Sequence, residues 1–263
     1  MSVSKEILLE VKDQIATITF NRPDTSNTYS LKIKDEIIEA VNQCSENDDV
    51  RVVILTGAGK HFCAGGNIRT MKEQVDAGGG FNYISVEKAG QVCEAVRKCN
   101  KPVIAQVNGA AVGSGAALAF ASDYRVMTPK SKLTSGFIKV GASGDSGSFY
   151  YMTRLIGAAR AIEFYMLGQT IGGEEALRLG LCNRLAEEDK LEIVTMKLAS
   201  ELVAMPTYAI GFQKQMFNRI LYPDIDYVTE LEKSYMLQCG RSADHKEAVY
   251  AFLEKRQPKF IGK

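Results

Sequence analysis

Two glycine-rich turns hold the residues of this chain whose spacing suits chemistry. His61-Phe62-Cys63-Ala64-Gly65-Gly66-Asn67-Ile68 follows the apolar run 52–56, and Asn108-Gly109-Ala110-Ala111-Val112-Gly113-Ser114-Gly115-Ala116-Ala117-Leu118 follows the apolar run 103–107. Each turn opens onto a helical pattern, so its backbone N–H groups are free to point at a ligand. Two such turns can converge on one carbonyl oxygen, the geometry of an oxyanion hole, and the species it favours is an enolate. Proton-transfer groups are scarce nearby, because the only carboxylates between Lys101 and Ile162 are Asp123 and Asp145.

Asp145 lies in Gly144-Asp145-Ser146-Gly147-Ser148, just before a helical pattern over 149–156. Aspartate in that place caps a helix and favours its positive dipole end. A carboxylate facing a pocket there could instead take a proton from one carbon and return it to another. Asp123, followed by Tyr124-Arg125, is expected to end a helix and pair with a base. His61 reads as a positioning or surface residue, and His245, far along the chain in the last helical pattern, would need a neighbouring subunit to reach any site.

Composition narrows the classes. With 263 residues, 46% of them hydrophobic, the chain can bury one large core. A net charge of +1 with scattered lysine and arginine lacks the footprint of a nucleic-acid binder. The six cysteines form no CxxC pair and only two histidines accompany them, so no metal site is expected. No segment reaches the roughly 18 apolar residues of a membrane span, and residues 1–6 resemble neither a signal peptide nor a presequence. No membrane association and a cytoplasmic location are expected.

Alternation over 7–11 and 15–20 predicts an N-terminal hairpin. Helical patterns over 31–41 and 83–97 lead into the strands at 52–56 and 103–107, which makes β-α-β crossovers. A short buried helix over 116–121 and a strand over 124–127 follow. Beyond Ser146 strand signals almost vanish and helices are predicted over 149–156, 158–166, 174–179, 191–205, 208–221, 225–239 and 243–255. Gly78-Gly79-Gly80 marks a flexible break that could serve a lid.

The chain resembles the crotonase superfamily, the enoyl-CoA hydratase/isomerase family, over nearly its whole length. The resemblance rests on Asn21-Arg22-Pro23, on Lys60-His61-Phe62-Cys63-Ala64-Gly65-Gly66-Asn67-Ile68 and on Lys101-Pro102-Val103-Ile104-Ala105 running into Asn108-Gly109. It continues through Ser122-Asp123-Tyr124-Arg125, Arg154-Leu155-Ile156-Gly157, Glu175-Ala176 with Gly180-Leu181, and Phe252-Leu253-Glu254-Lys255-Arg256. It implies an α/β fold, a spiral of repeated β-β-α units over residues 1–200, with a C-terminal helical extension over 201–263 that builds trimers or hexamers. Also implied are a coenzyme A or acyl-carrier-protein thioester substrate, as in fatty acid metabolism, and no metal or redox cofactor.

Carried over position by position, the hole falls on the N–H groups of Gly66 and Ser114, with serine where the family usually has a glycine. The thioester arm is expected along Ser26, Thr28, Ala64, Gly66, Asn67, Ile68 and Ser114. Asp24 stands where a basic residue often follows the Arg22-Pro23 pair. Met71, Phe81, Tyr83, Phe137 and Tyr150 are expected to line the acyl pocket. The two glutamates of the family's hydratases are replaced by Ala117 and Phe137, neither of which carries a proton. An isomerase or lyase is therefore expected, with Asp145 as the base. A decarboxylase, hydrolase or dehalogenase using the same hole, or a non-catalytic thioester- or RNA-binding relative, are the alternatives.

Each missing acid–base group is worth about 10²–10⁴ in rate. Crotonyl-CoA hydration, followed by loss of enoyl absorbance, should accordingly run at least about 10²-fold below a two-glutamate hydratase. Efficient hydration by the pure protein would mean that another acid serves the site.

Overall fold

The computed structural model describes residues 6–263. The stretch 1–5, on which the expectation about a leader falls, lies outside the described residues. Strands β1 (Ile7–Lys12) and β2 (Ile15–Phe20) pair antiparallel across Asp13 (φ 51°) and Gln14 (φ 64°). Left-handed backbone at both turn residues matches the twist of the flanking strands. From β2 the chain climbs through α1 (Leu31–Glu46), capped by Ser30, into β3 (Val52–Gly57). Next come α2 (Ile68–Asp76), α3 (Tyr83–Lys98), β4 (Val103–Val107), the short β5 (Ala110–Val112), α4 (Ser114–Ala121), β6 (Tyr124–Met127) and β7 (Lys132–Thr134).

Helices α5 (Ser148–Ile156) and α6 (Ala158–Met166) precede β8 (Thr170–Gly172), α7 (Gly173–Arg178) and the two-residue β9 (Arg184–Leu185). The chain then runs through α8 (Leu191–Val203), α9 (Thr207–Leu221), α10 (Ile225–Cys239) and α11 (Ala243–Leu253). One sheet has the order β1-β2-β3-β4-β6-β9, parallel beyond the hairpin; the other is β5-β7-β8. Beyond Ser146, where strand signals almost vanish from the sequence, the short strands β8 and β9 stand among the helices, each too short to show a period of two.

The core has two parts. All six residues of β3 are buried, as expected of a strand covered on both faces. Ile15, Val52, Ile54, Ile104 and Val126 pack against Leu191, Leu198, Ala199 and Leu202 of α8 on one face. On the other, Ile18, Val53, Leu55 and Ala105 join α1, α3 and α4. Every residue of α4 is buried, and a Cβ on Gly115 would come within 2.2 Å of the Cys63 carbonyl oxygen, so the helix can sit there only with glycine at that point.

The C-terminal helices return to their own chain: α10 packs on α3, and α11 on α2 and the turn 138–140. His245 thus meets its own chain, its Nδ1 2.6 Å from the Val140 carbonyl and its ring 4.4 Å from Phe81, and needs no neighbouring subunit to do so. Gly80, in the segment read as a flexible break, packs on Gly240, where a Cβ would lie 2.3 Å from the carbonyl oxygen. The exposed face of α9 carries Tyr208, Phe212, Met216 and Ile220. No single helix among the described residues is long and apolar enough to cross a membrane.

Asp123 is an anchor between layers. Its carboxylate accepts from Lys214 Nζ (2.7 Å), Arg97 Nη1 (3.1 Å) and the Val103 N–H (2.9 Å), joining α3, β4 and α9. Lys214 is buried, so removing its counter-charge strands an ammonium group in the interior. Asp123→Ala should lower the unfolding free energy in urea by about 3–5 kcal/mol, the usual cost of breaking a buried pair. A loss below about 1 kcal/mol, typical of an exposed pair, would show that Lys214 is satisfied by its carbonyl partners alone.

Candidate active site

The two glycine turns are laced together by backbone. Cys63 N–H donates to Ala110 O (3.2 Å), and Val112 N–H donates to Cys63 O (2.9 Å). Gly65 has φ +71°, and a Cβ on it would meet the Val112 carbonyl oxygen at 2.4 Å and the Ser114 nitrogen at 3.4 Å. Only glycine tolerates both that conformation and that approach. The loop before α1 closes a third side: Tyr29 N–H donates to Gly65 O (2.8 Å) and Ala64 N–H to Ser26 O (3.0 Å). Asn27, fully buried, fixes this loop by accepting from Arg22 N–H and donating to the carbonyls of Ala58 and His61. That arrangement gives Asn21-Arg22-Pro23 a structural reason, since Arg22 also donates to Thr28 O (2.7 Å).

A cavity of about 530 Å³ lies beside the turns. Ser26, Thr28, Ala64, Gly66, Asn67, Ile68 and Ser114 all line it, as do Met71, Phe81 and Phe137. Tyr83 and Tyr150 do not, and the expectation for these two is corrected. Tyr83 is half exposed on α3, its hydroxyl donating to Glu87, and Tyr150 packs edge-on against Tyr222 beneath α9. Tyr83 lies off the Ser85, Val86 and Ala89 face by which α3 meets the cavity, and no residue of α5 reaches it. Ala117 is buried inside α4 and lines nothing. Asn67 caps α2 by accepting from Arg69 N–H (2.9 Å). Phe252 of α11 and Met236 of α10 close the far wall.

Asp145 lines this cavity, buried, and does not cap α5, whose N-cap is Gly147 without a side-chain bond. Its carboxylate oxygen Oδ1 accepts from the Ser114 hydroxyl (2.7 Å) and the Ser146 hydroxyl (2.8 Å). Oδ2 has no donor among the described residues. Burial pushes its pKa above the ordinary carboxylate value, and the two hydroxyls and the charge of Lys34 pull against that rise. Ser114 also opens α4, so its own N–H is one of the first-turn groups without an intrahelical acceptor.

Two ionisable groups, one lining the cavity and one near Asp145 outside it, escaped the sequence reading. Lys34 of α1 lines the cavity and donates to the Ser85 carbonyl (2.7 Å) and hydroxyl (2.8 Å); burial pushes its pKa down to about 8, against the opposing charge of Asp145. Glu232 of α10 is buried. Its Oε2 accepts from Gly147 N–H (2.7 Å), while Oε1 has no partner. Desolvation, with Asp145 nearby, pushes its pKa up to about 8 against the backbone donors Gly147 and Phe149. Nothing in an acidic, solvent-suited helix sequence marks either residue out.

The sequence profile described as enoyl-CoA hydratase/isomerase matches residues 10–263, and the chain belongs to that family. The chain is 33% identical over 258 residues to the 1,2-epoxyphenylacetyl-CoA isomerase of Escherichia coli K12, covering 98% of each chain. It is 31% identical over 260 residues to the trans-2-decenoyl-[acyl-carrier-protein] isomerase of Streptococcus mutans serotype c, covering 98% of this chain and 99% of that one. Among solved structures, an enoyl-CoA hydratase from Mycobacterium avium subsp. paratuberculosis superposes with a TM-score of 0.88 at 25% identity, covering 97% of this chain and 98% of that chain. The fold is therefore the crotonase fold, a parallel-strand α/β spiral with C-terminal helices.

Glu232 leaves a signature in stability. Between the ordinary value of 4.5 and about 8 the folded state keeps a proton that the unfolded state has released. Stability must then fall as pH rises through that window. Urea unfolding at both ends of it should show this decline in the wild type and a flatter profile in Glu232→Gln; equal slopes would place the titration elsewhere.

Proposed function

We propose that the protein isomerises an unsaturated acyl thioester by moving a proton through an enolate. In this reading the thioester carbonyl accepts from the N–H groups of Gly66 and Ser114, which lower the energy of the negative oxygen as it forms. Asp145 Oδ2 removes a proton from the carbon next to the carbonyl, and the electron pair enters the enolate. The same carboxyl returns a proton two carbons along. One base suffices for such a shift, whereas hydration calls on two groups. No metal or redox cofactor enters; coenzyme A or a carrier-protein arm is part of the substrate.

The observation that carries this reading is the Ser114 hydroxyl on Asp145 Oδ1 at 2.7 Å. Through it one residue ties the base to the turn that faces the carbonyl, and the second carboxylate oxygen is left for chemistry. Burial supports the role too, because a base whose pKa is raised toward neutrality removes a proton more readily. Two relatives named as isomerases, one of a coenzyme A thioester and one of a carrier-protein thioester, favour the same class of step. Phe81 and Phe137, together with the name of the Escherichia coli relative, favour a ring-bearing acyl group as the second reading.

Turnover of 3-enoyl-CoA, 2-enoyl-CoA and malonyl-CoA panels separates the reactions. With 3-enoyl-CoA, Asp145→Asn should lose about 10²–10⁴ in kcat, the worth of a general base, with little change in stability. An Asp145→Asn protein that is folded and fully active would remove Asp145 from the reaction. Release of carbon dioxide from malonyl-CoA without any isomerisation would replace the proton shift by decarboxylation.

A further inference from the structure

Asp145 is walled on two sides. Besides the cavity at the glycine turns, a second of about 380 Å³ lies between α3, α9 and α10, and only Val86 and Asp145 line both. Ser146 and Glu232 line the second cavity but not the first. The Ser146 hydroxyl that donates to Asp145 Oδ1 therefore stands at its inner end. That hydroxyl is held in place by a left-handed backbone (φ 68°) rare for a residue other than glycine. Glu232 is pinned to the next residue through Gly147 N–H, with Oε1 buried and unpartnered. Glu94, Arg97 and Lys98 of α3 and Asp226, Glu230 and Lys233 of α10 also line it, beside Tyr151, Tyr222 and Ile225, so its mixed wall carries enough polar partners to hold water.

Gly90 adds an independent sign. It sits inside α3, where glycine weakens a helix, yet a Cβ there would meet nothing within 4 Å. Packing does not demand glycine at this position. Gly90 lines the second cavity, and a larger side chain would fill it.

We propose that the second cavity is a proton-exchange path to Asp145, with Glu232 as its exchanging acid, entering from the side away from the substrate. The inference rests on Asp145 acting as the base. When the substrate C–H bond breaks, its electron pair goes to the enolate and its proton to Asp145. The protonated carboxyl of Asp145 turns about its Cβ–Cγ bond so that its O–H meets the Ser146 hydroxyl, passes that proton through it and cavity water toward solvent, and receives one from Glu232. Glu232 is then reprotonated from solvent. Charge and proton count are unchanged, and the product carries a solvent hydrogen where it would otherwise carry the original one.

Turnover of trans-3-hexenoyl-CoA in D2O, with deuterium in the product measured by mass spectrometry at low conversion, tests the path. Glu232→Gln keeps an acceptor for Gly147 N–H, and Gly90→Leu fills the cavity from α3 without touching Glu232. Each should lower deuterium incorporation at least about tenfold, a part of the roughly 10²–10⁴ that a positioned proton-transfer group contributes, and out of proportion to any loss of turnover. Wild-type incorporation in Gly90→Leu, or a Gly90→Leu protein altered only in the acyl chains it accepts, overturns the proposal. If Asp145→Asn is inactive while both variants incorporate deuterium as the wild type does, the path alone falls. If Asp145→Asn is active, the base assignment falls and the path with it.

Discussion

A carboxylate taken out of water has to be held by something, and the architecture around Asp145 is the answer to that demand. Burial alone would leave an uncompensated charge costing several kcal/mol, or a permanently protonated acid useless as a base. Two serine hydroxyls and the nearby charge of Lys34 oppose the burial. Because both hydroxyls take the same oxygen, the stabilisation does not block the other one. Ser114 reaches Asp145 only because α4 starts beside the 140–147 loop, and α4 can start there only because Gly115 lets it press against Cys63.

The same closeness fixes the turns themselves. The Cys63, Ala110 and Val112 backbone bonds, the left-handed Gly65 and the buried Asn27 leave little freedom in the strand-to-helix turns. A rigid turn matters for transition-state stabilisation, since donors already aimed at the developing charge need no reorganisation. The accuracy of these turns is thus set by main chain packed on main chain, which demands glycine at 65 and 115 and leaves room for a serine side chain at 114.

Long elements were legible because hydrophobic periodicity is strong over five or more residues: the hairpin, β3, β4, α1, α3 and α8 to α11 all fall close to their sequence-predicted spans. The strands β5, β7, β8 and β9 escaped, being two or three residues long. Periodicity also says which face of a helix is apolar and not what covers it, so the return of α10 and α11 onto their own chain was invisible. Tyr83 and Tyr150 were assigned to the pocket by family position; Tyr83 lies on another face of α3, and α5, which carries Tyr150, does not line the cavity. The Ser114–Asp145 bond spans 31 residues and Glu232 lies 87 beyond Asp145; no local pattern signals contacts of that range.

The return of the last helices carries a consequence for the order in which the site is made. Met236 and Phe252 close the cavity wall, and His245 props the turn that carries Val140, yet all three are synthesised after every other part of that wall. Both sheets and the glycine turns precede α10 and α11 in the chain, so the cavity beside those turns lacks a side until the last helices are added. The order of synthesis thus runs opposite to early closure: the cavity that Asp145 lines gains its last wall residues only with α10 and α11.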